Sequence, residues 1–371
     1  MKRLLLLSCV LIVVLAQASG QDADVAAAWN KAVDGGIAFL RKSQSPDGSF
    51  SGDRNIGITG LVVTGLLNTG KITKDDPMVK RALEFIEKQV DPKEGHVAGK
   101  SRGLKNYITA VNMMALAAAN GDGKYNDILK NSAKFITGLQ WDDEQGIAPS
   151  DPYYGGFGYD GKSRPDVSNT AFALEALQAA GVPSTDPVFK RATVYLSRAQ
   201  DRKGEQQDQT WPGMKNDGAF VYVVPNKARE AGKKGGGGDP GPGYASVTYA
   251  GLKSMIYAGV AKDDPRIQQA LTWIKNNYSV ENNAGQPAGK EKSGLYFSYH
   301  SMSKALALLG FDMLEDTKGV KHDWRKDLTL QLAKTQAADG SWSNPVDRFM
   351  EGDPNIVTGF ALMALSNMKP K

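Results

Sequence analysis

Two kinds of hydrophobic pattern alternate along this chain. In the first, apolar positions fall on one face of a helical period and a charged face lies opposite, the signature of a surface helix. Six such stretches end near a glutamine or asparagine: Ile37–Gln44, Leu83–Gln89, Ser132–Gln140, Ala192–Gln200, Ala270–Asn277 and Leu328–Gln336. Three begin alike, with Asp76-Pro77, Asp186-Pro187 and Asp264-Pro265. Aspartate at an N-cap accepts from free backbone N–H groups, and proline at the first helical position loses no hydrogen bond there. The acid pairs Asp75-Asp76 and Asp263-Asp264 therefore read as caps rather than catalysts.

The second pattern is apolar on most faces, as in Thr170-Ala-Phe-Ala-Leu-Glu-Ala-Leu-Gln-Ala-Ala-Gly181. A helix of that kind is buried. Six occur, aligned on Thr59, Thr109, Thr170, Thr248, His300 and Thr358; Gly70, Gly121, Gly181, Gly259 and Gly310 close the first five, 10 to 12 residues further on. Glycine there supplies the left-handed stop. Polar-faced helices alternating with buried ones predict an all-α fold, an (α/α)6 toroid of six helix hairpins in two concentric rings. An open solenoid of the same hairpins is the alternative. The long stretch 201–243 reads as an insertion forming a lid or rim loop, with Ala219–Val224 as one strand or hairpin arm. Its glycine run, Gly235–Gly238, is not followed by Gly-Lys-Ser/Thr, so a phosphate loop is excluded.

Composition alters this picture at the N-terminus. Lys2 and Arg3 precede a mostly apolar run, Leu4 to Leu15, with small residues at Ala16, Ala18 and Gly20. This is the layout of an export signal, 1–20, and the run is short for a membrane span. An uncleaved anchor is one competing reading. Leu6-Leu7-Ser8-Cys9 has lipobox-like spacing, but the apolar run continues past Cys9. Removal of twenty residues leaves 351, with a formal charge of +3 instead of +5, and takes away the lone cysteine. The mature chain, 21–371, is expected to be one toroid domain, periplasmic or secreted, with no stable transmembrane span. It would hold no disulfide, thiolate nucleophile or cysteine-ligated metal. A near-neutral charge spread along the chain gives no support for a nucleic-acid partner.

The glutamine-ended units resemble the QW repeats of squalene and oxidosqualene cyclases. Gly36-x-x-Phe39-Leu40-x-x-x-Gln44-x-x-x-Gly48-x-Phe50 follows that pattern with phenylalanine in the tryptophan place. Leu332-x-x-x-Gln336-x-x-x-Gly340-x-Trp342 follows its second half, and degenerate copies lie at Phe135–Gln140 and Tyr195–Gln200. Gly155-Gly-Phe-Gly-Tyr159 with Arg164-Pro165-Asp166 is similar to segments of protein prenyltransferase β subunits. Together these features span nearly all of 27–368. The resemblance implies the terpenoid cyclase/protein prenyltransferase toroid, with a hydrophobic or isoprenoid small molecule in a central cavity.

The chemistry of that superfamily does not transfer residue by residue. Its protonation-initiated cyclases use Asp-x-Asp-Asp-Thr-Ala, and Asp166-Val167-Ser168-Asn169-Thr170-Ala171 resembles that motif with Ser168 in the place of the proton donor. A hydroxyl cannot protonate an alkene. Asp166 then reads as an N-cap, bonding the amide of Ser168 or Asn169, with a catalytic role as the alternative. Tyr299-His300-Ser301 resembles the zinc-histidine segment of prenyltransferases, whereas Tyr244-Ala245-Ser246 lacks the other two ligands. One histidine makes no zinc site, so no metal and no cofactor are expected, and His300 is equally a buried structural histidine.

No Gly-x-Ser-x-Gly or His-Glu-x-x-His occurs. Asp142-Asp143-Glu144 reads as a solvated turn. Asp166 and His300 are the catalytic candidates. Asn55, Asn106, Tyr107, Asn169, Tyr244 and Tyr296, near the starts of buried helices, are candidates for ligand binding with Phe157 and Tyr159. Two other classes stay open. A carbohydrate-active toroid would stack sugars on Trp211, Tyr153, Tyr154, Phe157 and Tyr159 and needs two carboxylates. A scaffold would have a collapsed cavity.

Overall fold

The computed structural model describes the backbone of residues 2–52, 54–230 and 241–370, and the side chains from residue 22 onward except Glu230. Residues 1–20, expected from the sequence to be an export signal, lie outside the described side chains. Among the described residues no helix is long and apolar enough to cross a membrane.

Among the described residues, thirteen α-helices make up nearly all of the regular secondary structure, and they divide as the two patterns predict. The outer set is α1 (Lys2–Ser43), α3 (Pro77–Glu87), α5 (Asn126–Thr137), α7 (Pro187–Ala199), α10 (Pro265–Asn276) and α12 (Trp324–Thr335). The inner set is α2 (Gly57–Thr69), α4 (Lys105–Ala119), α6 (Val167–Ala179), α9 (Ala245–Tyr257), α11 (Leu295–Leu309) and α13 (Pro354–Ser366), with one turn, α8 (Lys227–Glu230), in the insertion. Asp76, Asp186 and Asp264 cap their helices by accepting from the amides of Met78, Val188 and Arg266.

Each inner helix packs against the next, and α13 packs against α2. Small residues permit that last contact: a Cβ on Gly65 would stand 2.8 Å from the carbonyl oxygen of Gly359. The outer ring closes as well, since α12 packs on α1 and Gln336 Nε2 donates to Ala32 O (2.9 Å), and Trp29 Nε1 of α1 ties the first outer helix to the last inner one by donating to Leu365 O (2.9 Å). An open solenoid has no such contact between first and last repeats, so the toroid replaces it.

One hydrogen-bond unit repeats around the ring. Gln44, Gln140, Gln200 and Gln336 each donate through Nε2 to a glycine carbonyl (Gly48, Gly155, Gly218 and Gly340) and to a carbonyl on a neighbouring outer helix. Two residues after each glycine, the amide of Phe50, Phe157, Phe220 or Trp342 donates to the hydroxyl of Thr59, Thr170, Thr248 or Thr358. The prenyltransferase-like Gly155-Gly-Phe157 is thus the same turn as the cyclase-like one. Glycine is required there: Gly155 has φ +86° and its Cβ would stand 1.9 Å from Arg191 O.

The repeat corrects two sequence expectations. Ala219–Val224 forms no strand beyond a single bridge between Gln200 and Phe220. Its amides are taken by Thr248 and the end of α7, which leaves no partner strand. A short antiparallel pair instead joins Leu314–Glu315 to Lys321–His322. On α11 the residue in the threonine place is Tyr299, not His300: counted back from Gly310 it matches Thr248 before Gly259, and its hydroxyl donates to Val280 O (2.7 Å).

Candidate functional site

The threonine register also dictates what faces the ring axis. Residues two before and two after the threonine are four apart, so they share one helical face. On α6 these are Ser168 and Phe172, on α13 Ile356 and Phe360, on α4 Tyr107, on α9 Ser246 and on α11 Phe297. All of them line a cavity of about 190 Å³ at the N-terminal ends of the inner helices. Four of the rings run across its floor: Tyr107 to Phe172 at 5.3 Å, Phe172 to Phe297 at 5.5 Å and Phe297 to Phe360 at 6.1 Å between centroids. Tyr159, Tyr222, Tyr244 and Phe349 complete the wall from loops and from the start of α9. Burial raises the phenols of Tyr107, Tyr222 and Tyr244 well above the usual tyrosine range, so they are neutral donors.

Glu351 is the one carboxyl in this lining, and sequence reasoning missed it. It is fully buried on the loop before α13. Its Oε1 accepts from the amides of Tyr296 (3.1 Å) and Phe297 (3.0 Å), capping α11, whose own N-cap Gly294 has no side chain. Its Oε2 accepts from Asn344 Nδ2 (2.6 Å). Burial pushes this carboxyl up to about 7, against the lowering effect of those donors. The two residues before it, Phe349 and Met350, have φ of +63° and +65°. That left-handed backbone costs about 1–2 kcal/mol per residue and aims both side chains at the cavity mouth.

The predicted residues divide three ways. Asn55, Tyr107, Tyr159, Asn169 and Tyr244 line the cavity. Asn106, Phe157 and Tyr296 are buried and lie outside the lining: Asn106 Nδ2 donates to Gly158 O (2.7 Å), Phe157 packs in the core, and the amide of Tyr296 is held by Glu351. Asp166 and His300 do not line it either. Asp166 caps α6, accepting through Oδ1 from the Asn169 amide (2.8 Å) and Ser168 Oγ (2.7 Å), and through Oδ2 from Asn169 Nδ2 (2.7 Å). Burial nevertheless raises its pKa.

His300 stands behind the aromatic floor, stacked on Phe360, with Nε2 3.3 Å from Glu175 Oε2 and 3.4 Å from Lys253 Nζ. Lys253 Nζ lies 2.5 Å from the same Glu175 oxygen and 5.9 Å from the Phe172 ring. Glu175 and Lys253 are equivalent repeat positions, five residues past Thr170 and Thr248. Burial pushes the Glu175 carboxyl up, but Lys253 and His300 more than offset this and hold it well below the usual range. Burial together with Lys253 lowers His300, which is therefore a neutral imidazole.

The aromatic residues proposed for sugar stacking are scattered. Tyr153, Tyr154 and Phe157 are buried, and Trp211 lines a separate hollow with Trp273 outside the ring. Asp142 is buried against Arg191 Nη2 (3.0 Å) and so is not the solvated turn expected of it.

Comparison with known proteins agrees with this architecture. Residues 53–224 match the family model of the squalene-hopene cyclase C-terminal domain. No curated protein matches the chain by sequence. Among solved structures, the type II terpene cyclase MstE from Scytonema superposes with a TM-score of 0.55 at 14% identity, over 92% of this chain and 98% of MstE. A variant of MstE in complex with its substrate geranylgeranyl dihydroxybenzoate gives a TM-score of 0.57 at 14% identity, over 94% and 99%. Another, with the product merosterolic acid A, gives 0.58 at 13%, also over 94% and 99%. The resemblance carried by the repeat motifs thus holds for the fold along the ring: this chain has the α/α-toroid fold seen in the type II terpene cyclase MstE.

Proposed function

We propose that this chain is an exported toroid that binds a hydrophobic, isoprenoid-type ligand in its central cavity, without either established mechanism of its structural relatives. The observation that carries this reading is the cavity wall, eight aromatic residues and a single carboxyl on a ring whose relative MstE holds a geranylgeranyl substrate. Ser168 and Asn169 stand where a proton-donating acid pair is needed, and neither side chain can protonate an alkene. His300 faces Lys253 and Glu175 behind the floor. A glycosidase-like reading needs two carboxylates across the substrate, and the described lining offers one. A scaffold predicts a collapsed cavity, whereas this one is open.

The test is equilibrium binding of farnesol and geranylgeraniol, followed by fluorescence quenching and native mass spectrometry. Binding is expected for the mature chain and is expected to fall at least tenfold in Val247→Trp, which fills the cavity from α9. Absence of binding up to the solubility limit, or binding indifferent to Val247→Trp, would overturn the reading.

A further inference from the structure

The described cavity lining contains no lysine, arginine or histidine. It does contain a buried carboxyl that no described cation pairs with, because Glu351 makes hydrogen bonds to amides alone. An unneutralised carboxylate is costly to bury, and aromatic faces attract cations at short range. Resting on the reading of the cavity as a ligand site, we propose that its ligand carries an alkylammonium group, held between the Glu351 carboxylate and the rings of Phe172, Phe297 and Phe360. Anionic groups such as a diphosphate or a carboxylate find no counter-charge in this lining and meet the like charge of Glu351.

The geometry supports the assignment in two further ways. The Glu351 carboxyl accepts from two amides at the start of α11, a cap that the ionised form makes stronger, so a cation beside it favours the form that holds the helix best. At about 190 Å³ the cavity is smaller than the roughly 300–1,000 Å³ of most ligand pockets, which suits one compact head with a slender chain. The titratable groups facing Glu351 are the phenols of Tyr296 and Tyr299 on α11, both raised by burial and neutral. On its own loop Arg348 sits over the Phe349 ring at 4.9 Å, and Asp353 pairs with Arg54.

Farnesyl-trimethylammonium, farnesol and farnesyl diphosphate share one chain and differ in head charge, so they separate this inference from the reading beneath it. The ammonium compound is expected to bind at least tenfold more tightly than the alcohol, and the diphosphate most weakly. Its affinity should rise between pH 6 and 8, because a bound cation favours the ionised form of a carboxyl that titrates near 7. Phe360→Leu keeps an apolar wall but removes one of the three rings, so it should weaken both compounds and the ammonium compound more, which lowers the ammonium preference. Equal binding of alcohol and ammonium, or an unchanged preference in Phe360→Leu, overturns the inference and leaves the hydrophobic cavity standing. Failure of all three compounds overturns both.

Discussion

At the scale of the residue, the Glu175–Lys253–His300 cluster behaves unlike the caps and turns around it. Lys253 is fully buried, and its ammonium is matched by one carboxylate. Removing one partner of such a pair leaves an uncompensated charge, at a cost of about 3–5 kcal/mol, whereas replacing both by apolar groups is often neutral or better. Lys253→Met is therefore expected to lower unfolding stability by about that amount, and Glu175→Leu/Lys253→Met to recover most of it, measured by urea denaturation. The pH dependence has a definite sign. A carboxyl held below its ordinary pKa of 4.5 contributes stability present above that value and lost as pH falls through the folded pKa. Glu175→Gln should flatten the acid limb of the stability profile; an unchanged limb would show that Glu175 carries no such linkage. Sequence alone held no hint of this cluster, because its members lie on three different inner helices, up to 125 positions apart, and meet only when α6, α9 and α11 pack side by side. The same holds for Glu351, which reads as an ordinary loop acid beside Gly352-Asp353 until the loop folds over α11.

At the scale of the element, the repeat was legible because its physics is local. A glutamine and a glycine two residues before an aromatic build the same turn in four of the six hairpins. Where the motif degenerates, reading fails by small amounts. On α11 the threonine is replaced by Tyr299, eleven residues before Gly310, and its hydroxyl donates to Val280 O, whereas a threonine-based alignment picks out the neighbouring His300. The six-residue run at Ala219 looked like a strand because β-branched and aromatic residues favour strands, yet its amides serve the repeat turn instead. Two glycines test whether this turn is a true constraint. Gly155 and Gly146 both have positive φ, but a Cβ would collide with Arg191 O in one and meet open space in the other. Gly146→Ala is expected to cost about 1 kcal/mol from backbone strain, and Gly155→Ala at least about 3 kcal/mol. Equal losses in denaturant titrations would mean that the close approach does not matter.

At the scale of the molecule, closure distinguishes a ring from an array. In an open solenoid each repeat touches its neighbours alone, so stability is a sum and the ends can be trimmed. Here the contact between α13 and α2 joins the first and last hairpins, and the cavity floor draws rings from α4, α6, α11 and α13 at once. In the proposed mature chain the ends would lie near one another: Trp29 bonds Leu365 O, and Asp22 is two helical turns before Trp29, roughly 10 Å along the axis. A circular permutant follows from this. New ends would be opened in the exposed turn Thr317–Gly319, and Lys369 would be joined to Asp22 through a flexible linker of about eight residues. Residues 22–369 are expected to unfold in one cooperative transition in either order, with a midpoint within a few degrees of the parent and the same ligand affinity. Deleting the α12–α13 hairpin should instead abolish both, since it removes Phe360 from the floor and exposes the apolar flank of α2. A deletion variant that kept cooperative unfolding would mean that the hairpins are energetically independent, and that the ring is an array whose ends happen to touch.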